Sequence, residues 1–498
     1  MKRAAERTPF FTLAEAAAVA GGCFFPPSAI EHPLSQSFKV DSRLVEEGDV
    51  FVAIRGERVD GCAFVASAIE KGASCVLVDK ECFHRERQLL EKSGVSVLIV
   101  ADGERGMAEL ATEWLSRISP QVVGITGSVG KTTTREMLHS SLAGSLAVHA
   151  AIKSYNTLIG CSMTILGMPA GTDVLILELG TNRPGEIAEL VARFPVTHAV
   201  ITEVAPVHLE GLKSLEGVLA AKMEIAESSR LKYLSYNYNN DLLRSAVDSF
   251  VSQYAEGCGG SIETVGVGSA DANVVISGVA QTLDRKGTAR LSFTLSAGDH
   301  SVICETEIFG SQHARNAGFA YAVARELGVS DEDFAARLRA FELPLGRGRF
   351  YPTASGGLVI DESYNANPNS VSMALKNFLE VEFFDMLDMP DASEFRRIAI
   401  LGGMRELGAE SDHWHEVIMS RASLCDAVYL IGPEWDSVRT MQPSLRGRYA
   451  DTEGFSRAFA AGLAGAAEDF AQVVVLVKGS RYYAMESLLP LLTGGEKP

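Results

Sequence analysis

Short apolar runs closed by a polar or glycine position, each followed by a longer stretch with helical spacing, recur along most of the chain. Val122-Thr126, Val174-Glu178 and Ala199-Thr202 are apolar on both faces, as strands are when helices cover both sides of a parallel sheet. This alternation predicts an α/β fold with a doubly wound, mostly parallel sheet over residues 106 to 342. Residues 262 to 309 instead alternate singly, with Arg290, Ser292 and Thr294 set against Leu291, Phe293 and Leu295. An antiparallel excursion at one sheet edge is predicted there.

The flanks repeat the theme on smaller scales. Before residue 105, strands at Val50-Ile54 and Cys75-Asp79 bracket a helix at Phe64-Lys71 that stops at Gly72, which predicts a small α/β domain. Beyond the hinge candidate Leu345-Gly346-Arg347-Gly348, strands at Leu358-Asp361, Ile398-Leu401, Val428-Ile431 and Val473-Val477 predict a Rossmann-like third domain. The expected domains are therefore 1–105, 106–342 and 343–498. A length of 498 residues agrees with that count, at roughly 150 residues per domain.

A formal charge of −18 argues against a general nucleic-acid binder, which needs a clustered cationic surface. Eight cysteines without a CxxC pair indicate neither a zinc ribbon nor a disulfide framework. Near the N-terminus, Glu6, Arg7, Pro9 and Glu15 interrupt any signal-peptide core, and no uninterrupted apolar stretch reaches about 18 residues. The expectation is a cytoplasmic protein with no stable membrane insertion.

The most specific chemistry lies at Thr126-Gly-Ser-Val-Gly-Lys-Thr-Thr133, where a buried strand runs into a glycine-rich turn and a helix start. Gly127, Ser128 and Gly130 let backbone N–H groups approach phosphate oxygens, Lys131 adds a point charge, and Thr132 and Thr133 follow at the helix N-terminus, with Thr132 able to reach Mg²⁺. The usual first glycine of such loops is absent, because position 125 is Ile. ATP use with Mg²⁺ is expected. Glu178 ends a predicted parallel strand, where ligands of such sheets bind, and is a candidate Mg²⁺ ligand. His208 follows the next strand by a short loop; on spacing alone it fits a structural role as readily as a ligand. Arg347 and Arg349 fit either a guanidinium closing on phosphate or a solvated hinge charge. Asp361 leads into Glu362-Ser-Tyr-Asn-Ala-Asn-Pro368, a loop denser in Asn than a connector needs, although turn formation uses the same residues.

Four separated blocks make the chain resemble the Mur ligases. They are Asp41-Ser-Arg43 with Gly48-Gly56 and Asp60-Gly61, Thr126-Thr132, Glu178-Leu-Gly-Thr-Asn-Arg-Pro-Gly-Glu-Ile187, and Asp361-Pro368. The phosphate loop is shared with folylpolyglutamate synthetases. The last two blocks, with Leu401-Gly408 and Val477-Arg481 plus Glu486, are similar to the branch that adds D-alanyl-D-alanine. The resemblance implies that Lys131 and Thr132 cradle phosphates, that Thr132, Glu178 and His208 hold metal, and that Lys222 is carbamylated to support a second Mg²⁺. Lys131, Lys222 and His208 are thereby the implied catalytic residues. It also implies that Asn316 contacts adenine, that Arg347 lies near phosphate, and that Asp361 holds ribose or phosphate. Ser42 and Arg43 would face a uridine, while Asn156, Asn365, Asn367, Lys478 and Arg481 would surround the peptide substrates. The chain departs from the family pattern at Thr157, Gln312, His313 and Gly403.

The implied reaction joins D-alanyl-D-alanine to UDP-N-acetylmuramoyl-tripeptide through an acyl phosphate in a monomeric enzyme, with the third domain closing over the second. Rival readings are another ligase of the superfamily, acting on a muramoyl dipeptide or on folate, and a P-loop ATPase or switch protein.

Overall fold

The computed structural model describes residues 10–56, 59–151, 154–258, 261–283, 288–353, 357–380, 396–439, 442–461 and 473–495. The Met1 to Pro9 stretch read for a signal lies outside the described residues.

The first sheet contains β1 (Cys23–Phe25), β2 (Phe38–Lys39), β3 (Val50–Val52), β4 (Cys75–Asp79) and β5 (Ser96–Val100), in the order β1-β5-β4-β3-β2. Only β1 runs antiparallel to its neighbour. The predicted helix appears as Val65–Glu70, preceded by a 3-10 turn at Gly61–Phe64 that Asp60 caps through the Cys62 N–H. Gly61 is required here, since a Cβ would lie 2.6 Å from the Ile54 backbone. The absence of disulfides read from the sequence is corrected, because Cys62 and Cys82 are bonded. They are 20 residues apart and meet because the capped turn packs on the helix Lys80–Arg85, which Asp79 caps. Only tertiary folding creates that proximity.

The second sheet contains β6 (Gln121–Thr126), β7 (Val148–Ala150), β8 (Val174–Glu178), β9 (His198–Ile201), β10 (Tyr233–Asn237), β11 (Glu263–Gly268), β12 (Val274–Leu283), β13 (Ala289–Ala297) and β14 (His300–Thr306). Its order is β14-β13-β12-β11-β10-β9-β6-β8-β7. Strands β7 to β12 pair in parallel around β6, and β12, β13 and β14 pair antiparallel at the edge. The antiparallel excursion is thus shorter than predicted. The helix Asp241–Cys258 is a crossover long enough to return β11 parallel to β10.

The third sheet contains β15 (Arg349–Pro352), β16 (Leu358–Glu362), β17 (Arg396–Gly402), β18 (Ala427–Ile431), β19 (Leu445–Tyr449) and β20 (Val473–Lys478), ordered β15-β16-β20-β17-β18-β19. All neighbours are parallel except β15 with β16.

One continuous apolar core joins the first and second sheets, running from Phe11 and Leu98 through Met107 and Trp114 to Leu177. Polar contacts reinforce the seam, with Trp114 Nε1 and Gln36 Nε2 both donating to the Met168 carbonyl, at 2.9 and 3.0 Å. The third sheet has separate clusters on its two faces, and among the described residues Ala289 and Phe309 join them from the second unit. No helix among the described residues is long and apolar enough to cross a membrane.

Candidate active site

β6 is buried from Val122 to Thr126 and delivers the chain into the glycine turn at the carboxyl edge of the second sheet. Gly127 has φ 143° and Gly130 φ 90°, and a Cβ would stand 2.1 Å from Thr202 Oγ1 at the first and 2.7 Å from Asn316 Oδ1 at the second. The loop therefore accepts no side chain at either position. Ser128 ties it to the segment after β9, donating from Oγ to the Ala205 carbonyl and accepting the Ala205 N–H, both at 2.9 Å. The helix Lys131–Leu142 starts directly from the loop, so its unsatisfied N–H groups and partial positive charge face the space above β6. Lys131 Nζ donates to the Gly127 carbonyl at 2.6 Å. Burial pushes its pKa down, while the Glu178 charge opposes that shift.

Glu178 ends β8 with 2% exposure. Thr132 Oγ1 donates to its carboxylate at 3.0 Å and lies 3.2 Å from Ser154 Oγ. Arg135, one helical turn beyond Lys131 and 1% exposed, lies 3.5 Å from the same carboxylate. An uncompensated carboxylate at that depth costs several kcal/mol, and the guanidinium with the hydroxyl offsets it. Sequence reasoning missed Arg135. Its available signal was a strongly basic residue on a helix that covers a sheet.

Whether these residues fit a nucleotide with Mg²⁺ follows from the donors themselves. Thr132 and Glu178 converge as oxygen donors, the type Mg²⁺ prefers when phosphates and waters complete its shell. No group of three His, Cys, Asp or Glu side chains that could hold a metal ion occurs among the described residues. Arg347 Nε is buried without a hydrogen-bond partner, an orphaned donor beside the phosphate loop. The residues fit the group.

Lys222, on the helix Leu215–Met223, is 1% exposed. Burial pushes its pKa well below the usual lysine range, the Lys131 charge adds to that, and Glu224 and Glu186 oppose it. Those two carboxylates also shape the backbone. Glu224 accepts the N–H groups of Gly185, Ile187 and Ala188 and so caps the helix Glu186–Arg193, while Glu186 gathers Thr181 Oγ1 and the Asn182 and Arg183 N–H groups. The far end of the Glu178-Ile187 block is a self-bonded turn.

His208 has φ 51°, and its Nδ1 meets the Glu406 carboxylate of the third unit. A second bridge between the units runs from Thr132 through Ser154 to the Tyr364 hydroxyl, which donates to Ser154 Oγ at 2.6 Å. Arg347 lies over the Tyr364 ring at 4.1 Å. Arg349 turns away from the cleft, its Nε bonding the Leu343 carbonyl at 2.7 Å. Buried Lys478 reaches Glu362 at 3.2 Å and the Asn365 carbonyl at 3.1 Å, and Asn365 Oδ1 accepts the Arg481 N–H at 3.2 Å. Asn367 Oδ1 accepts the Ser370 N–H at 2.9 Å and caps the helix that opens at Pro368.

Lys131, Thr132, Ser154, Glu178, His208, Lys222, Arg347, Tyr364, Glu406 and Lys478 border one cleft of about 1120 Å³ between the second and third sheets. Of the site residues read from sequence, all but Gly127, Ser42, Arg43, Arg349 and Asp361 line it. Asp361 is 2% exposed and accepts the Gly346 and Ser363 N–H groups, both at 3.1 Å, so it holds the hinge glycine. Ser42 and Arg43 lie beside the first sheet, where Arg43 pairs with Asp41 at 2.7 Å and holds that carboxyl near a pKa of about 2.

The departures from the family pattern have local explanations. Thr157 caps the helix Leu158–Leu166. A Cβ at Gly403 would lie 2.3 Å from Glu434 Oε2, so the Glu434 carboxylate fills that space and accepts the Tyr483 hydroxyl. Gln312 accepts Asn377 Nδ2 at 2.6 Å, and buried His313, pushed down to a pKa of about 4, pairs with Asn316 at 3.2 Å.

Family models match in chain order: the Mur ligase family catalytic domain over residues 36–114, the Mur ligase middle domain over 125–324, and the Mur ligase glutamate ligase domain over 346–481. The UDP-N-acetylmuramoyl-tripeptide--D-alanyl-D-alanine ligase of Mycobacterium leprae is 30% identical over 459 residues, covering 84% of this chain and 85% of its own. That of Bacillus subtilis is 29% identical over 387 residues, covering 78% and 77%. A crystal structure of MurF ligase from Thermotoga maritima in complex with ADP is similar at a TM-score of 0.73 and 26% identity, covering 93% of this chain and 98% of that one. With three domain models spanning its three sheets and a relative of 30% identity aligned over most of both chains, the chain belongs to the Mur ligase family.

Proposed function

We propose that the protein is an ATP-dependent ligase that joins D-alanyl-D-alanine to UDP-N-acetylmuramoyl-tripeptide in the cytoplasm, acting as a monomer in peptidoglycan precursor synthesis. The observation that carries this reading is the bridged cleft, in which Thr132 and Glu178 on one wall connect through Ser154 to Tyr364 on the other. Phosphate chemistry and an acceptor-binding wall share one space. The functional units are taken as 1–105, 106–342 and 343–498.

In this reading the tripeptide's terminal carboxylate attacks the γ-phosphorus of ATP and forms an acyl phosphate, with ADP leaving. The dipeptide amine then adds to the acyl carbon, a tetrahedral intermediate collapses, and phosphate departs as the amine proton is lost. Mg²⁺, as two ions, would supply charge neutralisation for the transferring phosphoryl group. Gly127, Ser128, Gly130 and Thr133 shape the cradle, while Lys131 and Arg347 place cations on the phosphates, as expected to contribute on the order of a thousandfold in rate. Thr132, Glu178 and His208 hold metal. Asn316 faces the base, and Asp361 acts through the hinge.

Burial favours the neutral form of the Lys222 amine, and a neutral amine attacks CO₂ to give a carbamate and a proton. The product would support the second ion. Ser42 and Arg43 hold the uridine end, Asn156, Asn365, Lys478 and Arg481 surround the peptide ends, and Asn367 shapes their loop as the cap of the helix at Pro368. The third unit excludes water, which would otherwise hydrolyse the acyl phosphate.

The test measures ADP release with UDP-N-acetylmuramoyl tripeptides while supplying D-alanyl-D-alanine, single amino acids, or tetrahydrofolate with glutamate. Strict dependence on the dipeptide is expected. Equal turnover with no amine acceptor would replace the ligase with an ATPase.

A further inference from the structure

His208 and Glu406 come from different units, the first from the loop after β9 and the second from the loop after β17. Both adopt left-handed backbone, φ 51° and 64°, which is costly for residues that carry a Cβ. Each turns its side chain toward the other, and His208 Nδ1 meets Glu406 Oε2. The approach is part of a wider seating, since the Glu210 N–H donates to the Glu406 carbonyl at 3.4 Å. Gly408, also left-handed at φ 56°, brings its loop against Glu210, where a Cβ would be in ordinary contact at 3.6 Å. Both partners line the cleft.

A histidine that ligates metal through one nitrogen needs its other nitrogen fixed, and a carboxylate accepting that N–H sets both the tautomer and the ring plane. In the neutral ring whose Nδ1–H points to Glu406, the Nε2 lone pair is the one left for a metal. We infer that Glu406 is a positioning residue that the third unit supplies to the metal-side His208, so that this histidine is oriented only when the two units are docked. The inference rests on the reading of His208 as a metal ligand. It gives domain closure a chemical consequence: the loop Gly402–Gly408 prepares the cation site as well as covering it.

The experiment titrates Mn²⁺, a Mg²⁺ substitute visible by electron paramagnetic resonance, into the full-length enzyme with a non-hydrolysable ATP analogue. Wild type, His208→Ala, Glu406→Ala, Glu406→Gln and the double variant His208→Ala/Glu406→Ala are compared, with thermal melts to confirm folding. Glu406→Ala is expected to weaken Mn²⁺ binding roughly 10- to 100-fold, with Glu406→Gln intermediate because its amide oxygen still accepts the N–H. In the His208→Ala background the same substitution should cost nothing further. A loss that persists in that background would make Glu406 a docking residue only and overturn the proposal. So would wild-type affinity in Glu406→Ala alongside weakened binding in His208→Ala. Unchanged affinity in His208→Ala would instead overturn the ligand reading beneath it.

Discussion

Two polar loops at the carboxyl ends of parallel strands look equally rich in chemistry, yet their side chains are committed differently. At the ends of β6, β7 and β8, Thr132 bonds both Ser154 and Glu178 across separate elements and leaves a shared space above the glycine turn. After β16, Asp361 holds Gly346 and Ser363, Asn365 holds the Arg481 backbone, and Asn367 caps its own helix. Motif density therefore measures two things. In the first loop it reports groups that converge on an open space, and in the second it largely reports the scaffold that presents Lys478, Tyr364 and Glu362 to the cleft.

The sharpest way to break this contrast is Lys131→Ala. It should leave the melting temperature close to wild type while ADP formation falls about a thousandfold or more, and robust product formation would remove the phosphate-cradle role. The next largest effect separates a scaffold histidine from the cleft histidine. His198 is buried with its Nδ1 2.9 Å from Thr197 Oγ1, and burial, with Lys232 adding, lowers its pKa from 6.5 to about 4. As pH falls below 6.5 the unfolded chain binds a proton that the folded protein refuses. Stability present above that pH is therefore lost progressively down to about 4, by on the order of 3 kcal/mol. Urea unfolding of His198→Asn should show a flatter slope over that window, and an unchanged slope would move the cost to another group.

Asn367→Ala is expected to cost about 1 kcal/mol through the lost cap, with the KM for D-alanyl-D-alanine within twofold of wild type. A KM increase larger than the stability loss implies would return Asn367 to the substrate. The smallest effect on stability belongs to Arg43, whose side chain is 85% exposed beside Asp41. Arg43→Ala should not move the melting curve, while raising the KM for the UDP-linked substrate and sparing that for ATP. An equal rise in both would contradict a dedicated uridine-side role.

The architecture was largely legible because burial on both faces leaves an unbroken apolar run. Val174–Glu178 and Cys75–Asp79 match their predicted bounds, and the four core strands predicted beyond residue 345 appear with ends shifted by one or two positions. The glycine turn was legible for a related reason, since only Gly tolerates the contacts at Gly127 and Gly130. What stayed hidden depends on partners distant in sequence. Cys62 finds Cys82 through two capped turns, Arg135 finds Glu178 across a helix and a strand, and Glu406 finds His208 only through the fold. Gly403 reads only as a departure from the family pattern until the Glu434 carboxylate is seen filling the space beside it.

The shared core between the first two sheets has a practical meaning for dissecting the chain. Separating the first unit from the second near residue 105 would strip water-averse surface from both pieces, because Met107, Trp114 and Leu98 belong to one cluster with Leu177. Separation near Leu345 cuts across a seam where, among the described residues, Ala289 and Phe309 alone reach into the third unit's core. Limited proteolysis should therefore release a stable carboxyl-terminal piece and one larger partner, and expression trials should find the first sheet aggregating when produced without the second.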